Sequence, residues 1–548
     1  MPTKPYSGPL DWMRHSQLAG AAVLVVGAAS GIGAEVARIY AANGARVMLA
    51  DLDGSGAEAL ADELRAAGAE VRAQAVDLGD PSQIGPLVAA TVAAFGGLDI
   101  LANTSAFVRT APLDQGPGAD WRRSFAVNVE GALLLAQAAL PHLKRSDRAA
   151  VVLTSSLAGL HGFPRGAAYG PSKAALITLA RQMGMEWAQY GIRVNAVLPG
   201  TIDTPMARAA QSPEVRALRE ATIPMKRLGE PAEVANLIVF LSAPAASYVT
   251  AEAFAADGGL SQSLFMKTFD AGAMARRGDA SRQAAADWMT RSPLEGLSAL
   301  VVGGGGGGIG AGTARVLAAN GARVCVVDLN AAAAQSVADQ ITTDGGAAIA
   351  LGGDVSSAAD REAALDATIA AFGGLDILIN AAALVKPQPL AEVALADWQA
   401  CFNVNVDSAL SLAQLCLPYL RQSPAASIVN VASLGGVFGR PNSAAYGPSK
   451  AALITLTRQM ALEWAELGIR ANAATPGTVL TPLAKSAVPA SVLEARAARV
   501  PMRRLGDPLE MAHVIAFLAS PAASYVTGQL FNCDGGHANA LFFDPMGN

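Results

Sequence analysis

Val23 to Asp51 reads VLVVGAASGIGAEVARIYAANGARVMLAD. A short apolar run leads into a glycine-rich turn, then an Ala-rich stretch of helical length, then a second apolar run that ends on a carboxylate. That order is the strand, turn, helix, strand signature of a βαβ unit and a parallel sheet. In the turn, Gly27, Gly31 and Gly33 permit sharp bends and close backbone approach, with Ser30 and Ile32 between them. The free N–H groups of the helix N-terminus can then meet a pyrophosphate. Asp51 follows at about the 20-residue interval at which a carboxylate accepts from a ribose hydroxyl.

The same stretch occurs again. LVVGGGGGGIGAGTARVLAANGARVCVVD runs from Leu300 to Asp328, and AAYGPSKAALITL occurs at both Tyr169 and Tyr446. The chain is an internal duplication. Its register is 277, linking Asp51 to Asp328, Asn128 to Asn405, Pro199 to Pro476 and Asp257 to Asp534. Before the glycine run the register is 276, as Trp12 and Trp288 show, so the second half carries one extra residue in Gly303–Gly308. The units are read as 11–270 and 287–548, with a tail at 1–10 and a small-residue linker at 271–286. The expected fold class is α/β: two tandem Rossmann-type doubly wound domains with parallel sheets. Strands are expected at Val23–Val26, Arg46–Ala50, Asp99–Leu101 and Ala150–Leu153, with ligands bound beyond their carboxyl ends.

Bulk properties agree with this reading. At 548 residues the chain exceeds one ordinary core, and it is 52% hydrophobic and 16% charged, as in a well-buried globular protein. A net charge of -5 without a basic cluster gives no footprint for nucleic acid or an anionic membrane. The four cysteines, Cys325, Cys401, Cys416 and Cys533, form no CxxC pair, so neither a metal site nor a disulfide framework is expected. With neither a secretory signal nor an uninterrupted bilayer-length apolar run, a cytoplasmic protein is expected.

Tyr169-Gly170-Pro171-Ser172-Lys173 places a phenol and an ammonium on one helical face. Because a free phenol has a pKa of ~10, making it phenolate at neutral pH needs roughly 4 kcal/mol of differential stabilisation, which a nearby cation can supply. Asp51 and Asp328 would repel a 2′-phosphate and have no neighbouring Arg or Lys to offset it, which favours NAD(H) over NADP(H). Asp77 with Leu78, and Asp354 with Val355, stand where adenine contacts or simple strand-end turns would lie.

Taken together, these motifs resemble the short-chain dehydrogenase/reductase family over nearly all of both units. The resemblance matches Gly27, Gly31 and Gly33 to the family's glycine loop in the first unit, and Gly304, Gly308 and Gly310, with Gly307 and Ile309, in the second. It implies that Asn128, Ser156, Tyr169 and Lys173, and again Asn405, Ser433, Tyr446 and Lys450, act together: Tyr as general acid/base, Ser on the substrate oxygen, Lys on the ribose and the Tyr pKa, Asn on a relay water. Asn103 and Asn380, and the segments holding Pro199, Gly200, Thr204 and Pro476, Gly477, Thr481, look like the family's nicotinamide side.

The implied function is an NAD(H)-dependent oxidoreductase with two active sites acting on a small secondary alcohol or its ketone. The halves are expected to differ in substrate or stereochemistry, because His161 and Arg165 face Phe438 and Asn442 at the 277 register and the segments after Thr204 and Thr481 diverge. Alternatives are one working half with a structural partner, or a non-catalytic NAD(H)-binding scaffold. The family also implies an intramolecular pseudo-dimer, and a homodimer of fused chains resembling a tetramer. Trp121 and Trp398, which recur in register, are expected to be core residues.

Overall fold

The computed structural model describes residues 11, 17–109, 118–161, 168–210, 212–263, 292–438, 442–487 and 489–540. The tail at 1–10 and the linker at 271–286 lie outside them, as does Arg165. Two seven-stranded sheets organise the chain, and every strand pairing in both is parallel. The first contains β1 (Ala22–Val26), β2 (Arg46–Asp51), β3 (Val71–Ala75), β4 (Ile100–Asn103), β5 (Ala150–Thr154), β6 (Arg193–Pro199) and β7 (Ala253–Ala256). The second contains β8 (Ser298–Val302), β9 (Arg323–Asp328), β10 (Ala347–Gly352), β11 (Ile377–Asn380), β12 (Ser427–Val431), β13 (Arg470–Pro476) and β14 (Leu530–Cys533).

The orders are β3-β2-β1-β4-β5-β6-β7 and β10-β9-β8-β11-β12-β13-β14. In each sheet the winding reverses between the first and fourth strands, which opens a crevice at their carboxyl ends. Strands buried on both faces have no alternation to show, so β1, β5 and β6 are buried at every residue. The helices between strands begin where the sequence can cap them. Asp80 accepts from Ser82 N at the start of Pro81–Phe95, and Gly96, at φ 76°, ends it in the left-handed region that favours glycine. The helical run Gly118–Leu143 is long and apolar enough to cross a membrane by composition, but Leu135, Ala136, Ala139 and Leu143 are buried in the core beneath the first sheet.

The halves are not independent bodies. Helices Pro231–Ser242 and Pro508–Ala519 each bury ten consecutive residues, Glu233–Ser242 and Glu510–Ala519, so they are covered on all sides. The cover is the other half: Phe240 stacks on Phe517 with centroids 4.0 Å apart, and Phe254 on Phe531 at 3.6 Å. Residues of both halves belong to one continuous hydrophobic core.

Polar groups in this seam are satisfied reciprocally. Arg227 pairs with Glu233 at 2.7 Å, and Ser524 Oγ donates to Glu233 Oε1 at 2.7 Å. At the 277 register Arg504 pairs with Glu510 at 2.7 Å, and Ser247 Oγ donates to Glu510 Oε1 at 2.7 Å. Burial works against the charge on Glu233, but Arg227 holds it below the usual carboxylate range.

The symmetry breaks around Glu252, which stands where the second half has Gln529. Its Oε1 accepts from Asn532 Nδ2 at 3.0 Å and Asn539 Nδ2 at 2.9 Å, both from the second half. Burial, and then the charge of Asp534, push its carboxyl well above the usual range. A raised native pKa contributes stability that is complete below the unfolded pKa of Glu and is lost as pH rises through the native value. Glu252→Gln removes this titration and keeps the shape. Thermal unfolding from mildly acidic to mildly alkaline pH is therefore expected to show a shallower fall in midpoint for the variant, with the larger gain at the alkaline end; parallel curves would contradict the assignment.

Candidate active sites

Gly27 lies at φ 81° at the end of β1, and a Cβ there would come within 2.6 Å of Ser105 N. A Cβ on Gly33 would overlap Gly27 O, so the loop folds on itself with no room for a side chain at Gly27 or Gly33. In the second half Gly303, at φ 77°, fills the role of Gly27: it meets Ala382 N, and a Cβ on Gly310 would overlap its carbonyl. The glycine equivalent to Gly27 is thus Gly303 and not Gly304, a correction to the motif alignment. Six identical residues carry no side chain that could have fixed their register.

The backbone places the extra residue. Ala29 N donates to Asp51 Oδ2 at 2.9 Å and Gly305 N to Asp328 Oδ2 at 2.8 Å, still 276 apart, whereas Gly33 and Gly310 are 277 apart. The insertion therefore falls between Gly305 and Gly310, where Gly306 adopts φ 71°. Helices start at Gly31 and Ile309, with Ser30 and Gly308 as their N-caps; Ile32 and Ile309 lean on the core. Gly31 lies against Thr204 and Gly307 against Pro482, so the segments following β6 and β13 close over the glycine loops.

Asp51 and Asp328 also accept from Asp53 N and Asn330 N, which fixes both carboxylates at the loop. The helix caps there are Asp53 and Asn330. Asp77 accepts from Gly79 N and, with both oxygens, from Arg123 at 2.7 Å. Asp354 accepts instead from the amide and hydroxyl of Ser356. Leu78 is buried and Val355 partly so. Asn103 Oδ1 accepts from Ser105, while Asn380 Nδ2 donates to Asn430 Oδ1 at 2.7 Å. Arg123 was not singled out by sequence, since position 400 is alanine and only folding brings it to Asp77.

Tyr169 and Tyr446 open the helices Tyr169–Trp187 and Tyr446–Trp464. Lys173 Nζ lies 5.8 Å from the Tyr169 ring centre and Lys450 Nζ 5.9 Å from that of Tyr446. Each ammonium donates to a strand carbonyl at 2.8 Å, Thr154 O and Val431 O. Both lysines are buried, and loss of hydration lowers Lys173 to about 7 and Lys450 to about 8. Burial raises Tyr169 above the ordinary phenol value, with a hydrogen bond to Ser156 pulling it back. Ser156 and Ser433 follow β5 and β12, their hydroxyls fixed by Ala158 N and Gly435 N at 3.1 Å.

Asn128 and Asn405 sit in single π-helical turns, Ala126–Glu130 and Asn403–Asp407. Such turns commonly mark functional positions. Asn128 Nδ2 donates to Ser172 Oγ at 3.0 Å and Asn405 Nδ2 to Ser449 Oγ at 2.9 Å. Each Asn is thereby tied to the helix that carries Tyr and Lys. All eight residues come together in two clusters of the same geometry.

A family model described as enoyl-(acyl carrier protein) reductase matches residues 27–261 and again 304–538. An uncharacterised short-chain type dehydrogenase/reductase, y4vI, of Sinorhizobium fredii is 31% identical over 94% of this chain and 92% of its own. The chain belongs to the short-chain dehydrogenase/reductase family.

Single-unit relatives match as well. The 2,5-dichloro-2,5-cyclohexadiene-1,4-diol dehydrogenase LinX of Sphingobium indicum is 34% identical over 45% of this chain and 98% of its own. The 7alpha-hydroxysteroid dehydrogenase of Escherichia coli is 36% identical over 45% and 96%. The chain is thus a tandem member of a family of oxidoreductases.

The walls of the two dehydrogenase/reductase clusters differ. In the first unit Asp203 accepts from Arg216 through both oxygens at 2.7 Å and from Arg208 at 2.8 Å, pinning helices Pro205–Ala210 and Pro213–Thr222 to the root of the loop. The same positions in the second unit are Leu480, Leu493 and Lys485. In the second unit a cleft of about 600 Å³ is lined by Leu390, Val437, Phe438, Gly447 and Pro448 among others, and Asn405, Ser433, Tyr446 and Lys450 are not part of its lining. Trp121 is 42% exposed and stacks on Phe125, and Trp398 is only partly buried, which corrects the expectation that both pack the core. Their helices, Gly118–Phe125 and Leu395–Phe402, lie at the surface.

Hydrogen bonds from Arg216 and Arg208 keep Asp203 far below the usual carboxylate range, so this latch holds through neutral and mildly acidic pH. Asp203→Ala is expected to raise amide exchange across 205–222 by about tenfold and leave 482–498 unchanged. Equal exchange in wild type and variant would show that the latch holds nothing.

Proposed function

We propose that each half is an NAD(H)-dependent active site that interconverts a secondary alcohol and its ketone. The observation that carries this reading is the repetition of the Asn, Ser, Tyr and Lys cluster with matching geometry, the Lys-to-ring distances being 5.8 and 5.9 Å. The glycine-rich cradles at Gly27–Gly33 and Gly303–Gly310, each beside a fixed carboxylate, fit a dinucleotide whose 2′ position is an unmodified hydroxyl. Asp51 and Asp328 would hold its adenine ribose, and Pro199–Thr204 and Pro476–Thr481 its nicotinamide side.

Bound NAD⁺ supplies the acceptor for the hydride that leaves the carbinol carbon. At the first site Tyr169 Oη, as phenolate, takes the hydroxyl proton while that hydride leaves, so the alcohol loses two electrons and two hydrogens and becomes a ketone. Ser156 Oγ donates to the substrate oxygen and orients it. Lys173, when protonated, stabilises the phenolate. Asn128, tied to Ser172, keeps the helix turn that faces the site in register with the Tyr and Lys. Tyr446, Ser433, Lys450 and Asn405 do the same at the second site, and ketone reduction reverses the proton path.

The two walls support different substrates at the two sites. The names of two relatives refer to ring-bearing alcohols, which makes cyclic secondary alcohols the class to screen. The fusion already joins two units within one chain, and a homodimer of fused chains would complete a tetramer-like body.

Tyr169→Phe and Tyr446→Phe remove the two general acid/bases one at a time. In a screen of cyclic secondary alcohols followed by NADH absorbance, each variant is expected to lose about 10²- to 10⁴-fold of one activity and keep the other. Equal partial loss of one reaction in both would show redundant sites, and no loss in either would end the proposal.

A further inference from the structure

Tyr248 and Tyr525 occupy equivalent positions and are fully buried, but neither ring serves its own half. The ring of Tyr525 lies in a space made by two glycines of the first half: a Cβ on Gly229 would overlap Cε1, and one on Gly258 would come within 2.7 Å of Cε2. The ring of Tyr248 lies likewise against Gly506 and Gly535 of the second half, at 2.7 and 2.8 Å.

Those glycines hold the loops read above as the nicotinamide side. Gly229 N donates to Thr201 O at 3.0 Å and Asp203 N donates to Gly229 O at 2.8 Å. In the second half Gly506 N donates to Thr478 O at 3.0 Å and Leu480 N to Gly506 O at 2.8 Å.

A second route reaches the start of each loop. Asp257 N and Gly258 N both donate to Tyr525 O at 3.1 Å, and Asp257 packs so closely on Gly200 that a Cβ there would come within 2.8 Å. Gly535 N donates to Tyr248 O at 3.0 Å, and Asp534 packs on Gly477 in the same way.

Each ring is itself anchored. Tyr525 Oη donates to Arg227 O at 3.3 Å and Tyr248 Oη to Arg504 O at 2.9 Å, with the guanidinium of each Arg lying over the ring at 5.0 and 4.7 Å.

We infer that each half supplies a positioning residue to the other's cofactor site: Tyr525 supports Pro199–Thr204 of the first site and Tyr248 supports Pro476–Thr481 of the second. The inference rests on the reading of these loops as the nicotinamide side. A side chain smaller or differently shaped than tyrosine leaves a void behind the loop, and the loop follows it. Among the described residues, the hydrogen bonds of Asp51 at the adenine end go to Ala29 N and Asp53 N of its own half.

The test uses the full chain with one dinucleotide loop blocked. Gly310→Ala closes the second loop and leaves the first to be titrated alone; Gly33→Ala does the reverse. In the Gly310→Ala chain, Tyr525→Leu is expected to weaken NADH tenfold or more at the first site and to leave ADP-ribose, which lacks nicotinamide, within about twofold. Tyr525→Phe, which keeps the ring, is expected to restore NADH binding to within about threefold of the parent. In the Gly33→Ala chain, Tyr248→Leu should give the same pattern at the second site.

Should Tyr525→Leu fail to fold, Gly229→Ala presses on the same ring from the other side and is expected to give the same selective loss. Equal weakening of NADH and ADP-ribose, or a loss that falls on the half carrying the mutated Tyr, would overturn the cross-support. If the parent Gly310→Ala chain binds ADP-ribose as tightly as NADH, the loop is not a nicotinamide site, and both the reading and the inference built on it fall.

Discussion

Helices Pro231–Ser242 and Pro508–Ala519 have no solvent-facing side, and that constraint decides how the chain is built. An apolar helix buried all round cannot be left exposed without losing roughly 1.5–3 kcal/mol for each large side chain uncovered. Phe240 against Phe517 and Phe254 against Phe531 close the seam with parallel stacks. Aromatic pairs of this kind add about 0.5–1.5 kcal/mol each beyond the area they bury. Two units that must bury these faces can meet as separate chains or be joined; here they are joined, so the encounter is intramolecular.

The seam lies directly behind both sites. Tyr525 and Tyr248 cross the seam to donate to the Arg227 and Arg504 carbonyls, and each of these arginines pairs with Glu233 or Glu510 of its own half. The same tyrosine side chains thus serve core packing and lie against the glycines bonded to the loops after β6 and β13. The Asn, Ser, Tyr and Lys groups repeat at the 277 register, while the segments after β6 and β13 differ: a three-residue ion cluster at Asp203 in one half, Leu480, Leu493 and Lys485 at the same positions in the other. Chemistry constrains the former and substrate shape the latter.

Much of this was legible in the sequence because it repeats. The alternation of apolar runs and Ala-rich stretches implies the parallel strands β1, β2, β4 and β5, and the 277 register pairs the candidate catalytic residues. What stayed hidden needed three dimensions. Gly303 is not distinguishable from Gly304 in the sequence, because a run of six glycines has no internal landmark; the packing of Gly303 on Ala382 and the hydrogen bond from Gly305 to Asp328 fix it. Trp121 read as core because large aromatics usually are, yet its helix lies on the surface. Arg123 meets Asp77, and Arg216 meets Asp203, through side chains whose sequence separation carries no periodic signal. The phenylalanines of the seam carry no signal of their place in the sequence, since periodicity does not distinguish an interior face from an interface.

Two complete dinucleotide sites in one rigid chain are the core of the account. Calorimetric titration of the full chain with NADH tests it most directly, with NADPH as the competitor. The expected result is two NADH bound per chain and weaker binding of NADPH at both sites, as the carboxylates of Asp51 and Asp328 require; one NADH per chain, or tighter binding of NADPH at either site, would contradict it.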